Sequence, residues 1–141
     1  MVNLSPTAVR RLSEEHIAWL TTVRSDGSPA TRPIWFVWEA PQLLVYSEPH
    51  VHKIRHLIAD PRANIHFNTD AEGGSVVVLD VEAVVEPDAP PPSQCPGYAD
   101  KYGKAILRLG TTVPEYDRRF TTLIRLRVHR SVDTNDTLGS D

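Results

Sequence analysis

From Val76 to Glu86 the chain alternates: Val77, Leu79, Val81, Ala83 and Val85 fall on one side, Asp80, Glu82 and Glu86 on the other. A period of two marks a strand with one buried and one wet face. That pattern belongs to antiparallel sheet, because strands of a parallel sheet are usually covered on both sides. A second run repeats it, with Ala63, Ile65 and Phe67 alternating with Arg62, Asn64, His66 and Asn68. Asp70 to Gly74 supplies a turn between the two. A mainly antiparallel architecture follows before any other segment is considered.

The remaining segments extend that sheet. Ile17 to Arg24 is rich in β-formers and ends at Ser25-Asp26-Gly27-Ser28, a hairpin signal leading into a strand over Ala30 to Glu39. Pro33 lies inside this second strand and cannot donate to a ladder, so it predicts an edge or a bulge. Ala40-Pro41-Gln42 turns the chain into Leu43 to Ser47. In the last strand Thr122, Ile124, Leu126, Val128 and Val132 share one face, and Arg125, Arg127 and His129 the other. Ser5-Pro6 reads as an N-cap and first helical position for Thr7 to Leu12. Val51, Ile54, Leu57 and Ile58 recur at helical spacing up to Pro61, and helical turns fill Tyr98 to Leu109. Thr112-x-x-Glu115 reads as a capping box opening a helix through Tyr116 to Phe120. Residues Pro87 to Pro96 hold five of the twelve prolines and read as an extended connection. About six strands with hairpin-length connections and short helices predict a closed or partly split antiparallel β-barrel. One domain over residues 1–141 is expected, with 133–141 as a flexible tail.

Composition narrows the function classes. A formal charge of -3 and a pI near 6.0 leave no electrostatic footprint for general nucleic-acid binding. The single cysteine, Cys95, excludes an intrachain disulfide framework, and no apolar run approaches a bilayer span or a secretion signal; a cytoplasmic protein without membrane insertion is expected. No G-x-G-x-x-G, G-x-x-x-x-G-K-[ST] or G-x-S-x-G occurs, so a Rossmann site, a P-loop and a hydrolase elbow are unsupported. Cys95 sits beside Pro96 in the proline-rich loop and reads as a loop thiol.

The chemistry concentrates in Ser47-Glu48-Pro49-His50-Val51-His52-Lys53-Ile54-Arg55-His56-Leu57, where a strand gives way to a helix with Lys53 and Arg55 in its first turn. Unpaired N–H groups and the positive end of the helix dipole suit an anion, a phosphate above all. A solvated basic helix face would show the same residues. His50, His52 and His56 invite a metal, but Lys53 and Arg55 would repel a cation and no paired cysteine and no nearby carboxylate at ligand spacing accompanies them; no metal is expected. Among the aromatics, Trp19 reads as core. Parity sets Arg32, Ile34, Phe36 and Trp38 against Pro33, Trp35 and Val37. Val76, Val78 and Val84, opposite the Val77 face, exceed what one small barrel can bury and imply a partner.

Taken in order, the hairpin glycine Gly27, the strand Pro33-Ile34-Trp35-Phe36, the junction Ser47-x5-Lys53-x-Arg55 and the helix stop Asp60-Pro61-Arg62 resemble the pyridoxamine-phosphate-oxidase-like split β-barrel family. Within it the sequence is most similar to the actinobacterial branch of deazaflavin (coenzyme F-420)-dependent oxidoreductases. The resemblance implies an FMN-binding split-barrel-like fold, mainly β, and a homodimer with the coenzyme at the subunit interface. It implies hydride transfer from the reduced deazaflavin to an unsaturated small-molecule acceptor, with no protein nucleophile. Lys53 and Arg55, with the Ser47 hydroxyl and the helix start, would hold the phosphodiester and the acidic tail, assisted by Arg32. The backbone of Arg32, Pro33, Ile34 and Trp35 would run beside the ring, and Ile54 and His56 complete the implied set. Family members often carry Asn where this chain has His56. Tyr98, Tyr102 and Tyr116 would reach toward the mouth of the partner's site; otherwise they pack helices. Two alternatives stand: an FMN-binding flavoprotein of the same fold, and a non-catalytic protein binding coenzyme F-420 or a tetrapyrrole such as haem or biliverdin.

Overall fold

A computed structural model describes residues 2–134. Its strands are β1 (Ala18–Val23), β2 (Pro29–Ile34), β3 (Val37–Glu39), β4 (Gln42–Ser47), β5 (Arg62–His66), β6 (Val76–Glu86) and β7 (Thr122–Thr134). Its helices are α1 (Pro6–Glu14), α2 (His52–Ala59), α3 (Tyr98–Arg108) and α4 (Val113–Arg119), with a 3-10 turn at Pro92–Gln94. All strand pairs are antiparallel, in the order β2-β1-β5-β6-β7-β4-β3.

That order explains the barrel. β2 and β3 are consecutive in the chain yet stand at opposite edges of the sheet. The sheet must curl until its edges approach, and Trp35 and Phe36 span the seam. Here the sequence expectation is corrected: Ala30 to Glu39 is two strands rather than one, because closure takes the segment from one edge to the other at Trp35-Phe36. Its parity nonetheless holds. Ile34 and Phe36 are buried in the barrel interior with Leu20, Leu43, Ile65, Val77, Leu79, Val81, Ile124 and Leu126, and Trp38 packs against them. Trp35 and Val37 pack instead on an outer cluster formed by Leu44, Tyr46 and Leu123 of β4 and β7 with Tyr98, Tyr102, Ile106 and Tyr116 of α3 and α4. Ala8 and Leu12 of α1 and Ile54 and Leu57 of α2 complete the interior cluster.

Local signals account for the element ends. Ser5 Oγ accepts from the Ala8 N–H at 3.0 Å, as an N-cap does. Gly27 takes φ +87°, which its missing Cβ permits, and Asp26 Oδ1 accepts from the Ser28 N–H at 2.9 Å, tightening the β1–β2 turn. Pro33 sits in the edge strand β2, where no ladder bond is lost to a neighbour. Thr112 Oγ1 accepts from the Glu115 N–H at 3.3 Å; the reciprocal half of the capping box is missing, since Glu115 accepts from the Thr111 hydroxyl at 2.9 Å.

Other expectations are corrected by tertiary context. Trp19 is half-buried on the outer face of β1, stacked on His66 at 6.3 Å with its Nε1 donating to Asn68 Oδ1 at 3.1 Å; it is not core. Ile58 is 69% exposed despite its helical spacing, because α2 turns only Ile54 and Leu57 inward. A bulge shifts the β6–β7 register: Asp80 pairs with Arg130 and Val81 with Val128, so His129 is the extra residue. Past it every side chain changes face. Val132 therefore lies opposite Val78 on the outer face, 38% exposed, rather than beside Val128 in the interior. Asp133 and Thr134, placed in the expected tail, belong to β7, and residues 135–141 of that tail lie outside the described residues. No helix among the described residues is long and apolar enough to cross a membrane.

Candidate functional site

β1, β2 and the start of α2 enclose a cleft of about 470 Å³. Its floor is apolar, from Leu20, Ala30 and Val51, and its polar wall brings together Arg24, Arg32, Lys53, His52 and His56. No carboxylate lines it. Val51 starts α2 without a side-chain cap, so the first-turn N–H groups there gain no side-chain acceptor. Lys53 is half-buried, forms no ion pair among the described residues, and desolvation pushes its ammonium below the usual lysine range.

His56 Nδ1 lies 2.9 Å from the hydroxyl of Thr22, itself only 2% exposed. Desolvation, followed by Arg24, His52 and Arg55, holds the imidazole below its ordinary value. The same three cationic or basic neighbours that discourage a proton would welcome an anion.

Three of the implied cofactor residues therefore line one cleft: Arg32, Lys53 and His56. The others stand elsewhere. Arg55 points along α2, its Nη2 2.6 Å from His52 Nδ1, and is exposed. Ser47 is buried at the end of β4 and donates to the Glu48 carbonyl at 2.9 Å. Ile54 and Ile34 are barrel interior. Pro33 is exposed on β2, and Trp35 faces the outer cluster, stacked on Tyr102. Tyr98, Tyr102 and Tyr116 are buried in that cluster as helix packing. Sequence reading missed Arg24 and Thr22, although Leu20 and Thr22 in β1 and Arg24 just after it share a parity; what it lacked was α2 lying against that face.

The family model for pyridoxamine 5'-phosphate oxidase matches residues 4–130. The chain belongs to the pyridoxamine 5'-phosphate oxidase family. Solved structures similar to this family member include an F420 reductase, 21% identical, covering 87% of this chain and 94% of that one with a TM-score of 0.68. An FAD-binding protein from Mesorhizobium loti is 19% identical over 91% of this chain and 92% of that one, TM-score 0.66. The haem storage protein HutZ from Vibrio cholerae is 18% identical over 94% and 96%, TM-score 0.64. At these identities the likeness is one of fold. Comparison with curated proteins finds no match.

Proposed function

We propose that this pyridoxamine 5'-phosphate oxidase family member is an oxidoreductase that binds coenzyme F-420 in the cleft between β2 and α2. The carrying observation is Lys53: a half-buried ammonium without an ion-pair partner among the described residues, in a wall shared with Arg24 and Arg32 and without a carboxylate. A desolvated cation of this kind is stabilised when an anion enters, because Coulomb attraction strengthens as water leaves. The residues present fit a guest with a phosphodiester and further acidic groups, and the apolar floor fits a flat ring. Lys53 and Arg32 would hold the charged end, Arg24 would add to the field, and Arg55 would reach the guest only by leaving His52.

When bound, the reduced deazaflavin would supply hydride for an unsaturated small-molecule acceptor; the chain's own residues would bind, orient and exclude water. The likeness in fold to an F420 reductase supports this reading. We further propose a homodimer. Trp19, His66, Val78 and Val132 are successive cross-strand partners over β1, β5, β6 and β7, forming a band across the outer face whose apolar members, among the described residues, join neither hydrophobic cluster.

Spectral titration with coenzyme F-420, FMN and haem tests the reading. Coenzyme F-420 should bind, and Lys53→Ala should weaken it by about 1.5 to 3 kcal/mol, the worth of a charge-assisted hydrogen bond. Binding of FMN or haem alone, or equal affinity in the variant, would sink it.

A further inference from the structure

Resting on the coenzyme reading above, we infer that Lys101 is a positioning residue for the cleft: with the Tyr102 hydroxyl, it holds the seam at Phe36 and so the end of the strand that carries Arg32. β2 pairs with β1 alone, and its ladder ends at Ile34, opposite Ala18. Beyond that point the backbone must be held by something other than sheet. Phe36 is fully buried, so its N–H and carbonyl need partners inside the protein.

α3 supplies them. The Phe36 N–H donates to Tyr102 Oη at 2.9 Å, and Lys101 Nζ donates to the Phe36 carbonyl at 2.8 Å. Tyr102 Oη in turn donates to the His16 carbonyl at 2.7 Å, tying the seam to the lead-in of β1 as well. The ammonium also stands 3.8 Å from the Phe36 ring centroid and 5.2 Å from that of Tyr102. No ion pair to Lys101 exists among the described residues. Its charge thus rests on a carbonyl dipole and two ring faces, and both contacts weaken when the proton leaves.

Glu14 and His16 from the α1 side and Asp100 on α3 line a cleft of about 490 Å³ together with Lys101, and Glu15 supplies the charge that favours its ammonium. Desolvation outweighs Glu15 and brings the Lys101 ammonium to about 8. The seam is therefore held firmly below that pH and loosens above it. Phe36 lies four residues past Arg32 and two past the end of β2, so loosening it frees the end of the strand whose Arg32 forms the cleft wall.

The experiment compares the parent protein with Lys101→Arg, which keeps a cation, and Lys101→Met, which removes it. In the coenzyme-free protein the Val37 amide resonance, whose nitrogen is bonded to the Phe36 carbonyl carbon, should move with a midpoint near pH 8 in the parent and in neither variant. Coenzyme F-420 affinity should fall about fivefold further through that range in the parent than in Lys101→Arg, the difference between a charged and a neutral donor. In Lys101→Met it should be low throughout and fall no more than in Lys101→Arg. Lys53 is intact in all three, so its own titration cancels. Should Lys101→Met fail to fold, Lys101→Arg carries the test alone. An alkaline fall in affinity that persists unchanged in Lys101→Arg overturns the positioning role and leaves the coenzyme reading standing. A parent protein that binds no coenzyme F-420 at any pH overturns both.

Discussion

Trp35 lies flat against Tyr102, with ring centroids 4.6 Å apart and planes 4° from parallel. The contact joins the barrel seam to α3, and Tyr116 extends the stack at 6.0 Å. Offset stacks of this kind add about 0.5 to 1.5 kcal/mol to the burial itself. Trp35→Ala should therefore destabilise the fold by about 3 kcal/mol, the lower end for a large aromatic because Trp35 is only half-buried. Trp35→Phe should recover most of that. Urea unfolding followed by far-UV dichroism measures both, and equal stability of parent and Trp35→Ala would show that the stack contributes nothing.

The hydroxyls of Tyr98 and Tyr116 meet at 2.8 Å inside the outer cluster, and burial pushes both phenols above their ordinary range. Removing one hydroxyl leaves the other buried and unpaired, which costs about 1 to 3 kcal/mol. Removing both leaves nothing unpaired. Tyr98→Phe and Tyr116→Phe should each destabilise, and the double variant should lose clearly less than the sum of the singles. Strict additivity in a double-mutant cycle would mean that the two hydroxyls are not coupled.

What the sequence revealed of this fold followed the range of the interactions involved. The Val76 to Glu86 alternation, the Asp26-Gly27 turn and the Ser5 cap depend on neighbours within a few residues, and each is found where its local chemistry puts it. The break at Trp35-Phe36 depends on which sheet edges meet, and the face of Val132 on one extra residue, His129, against β6. Neither leaves a local mark. The candidate site divides in the same way. Lys53 was legible as part of a strand-to-helix junction, whereas Arg24 and Thr22 join it only because β1 lies against α2. Arg55 shared that junction, but at three residues' spacing its guanidinium finds the His52 ring instead.

The outer band of Trp19, His66, Val78 and Val132 offers a direct test of the proposed homodimer. Val132 is 38% exposed and Val84, on the same face of β6 as Val78, is 62% exposed. A charge introduced there would be buried without a partner if two copies pack through this face. Val132→Glu should convert a dimer into a monomer in sedimentation velocity at micromolar concentration, with little change in the dichroism of the subunit. A parent protein already monomeric, or a variant that still dimerises, would exclude this face.

His56 should make coenzyme binding take up protons. In the free protein, burial and the nearby Arg24, His52 and Arg55 keep the imidazole pKa below its ordinary 6.5. The unfolded chain binds that proton first, so the folded state loses stability as pH falls through 6.5 toward the lowered value, and His56→Gln should remove this part of the acid loss. An anion in the cleft reverses the local field and raises the imidazole again. Binding between the two values must then draw in a proton, and affinity must rise as pH falls from neutrality. Calorimetry near pH 6 in buffers of different ionisation enthalpy should show more proton uptake with coenzyme F-420 in the parent than in His56→Gln, the guest's own ionisations being common to both. Equal uptake by the parent and His56→Gln would mean that the guest's charge does not come to rest beside the Thr22–His56 pair.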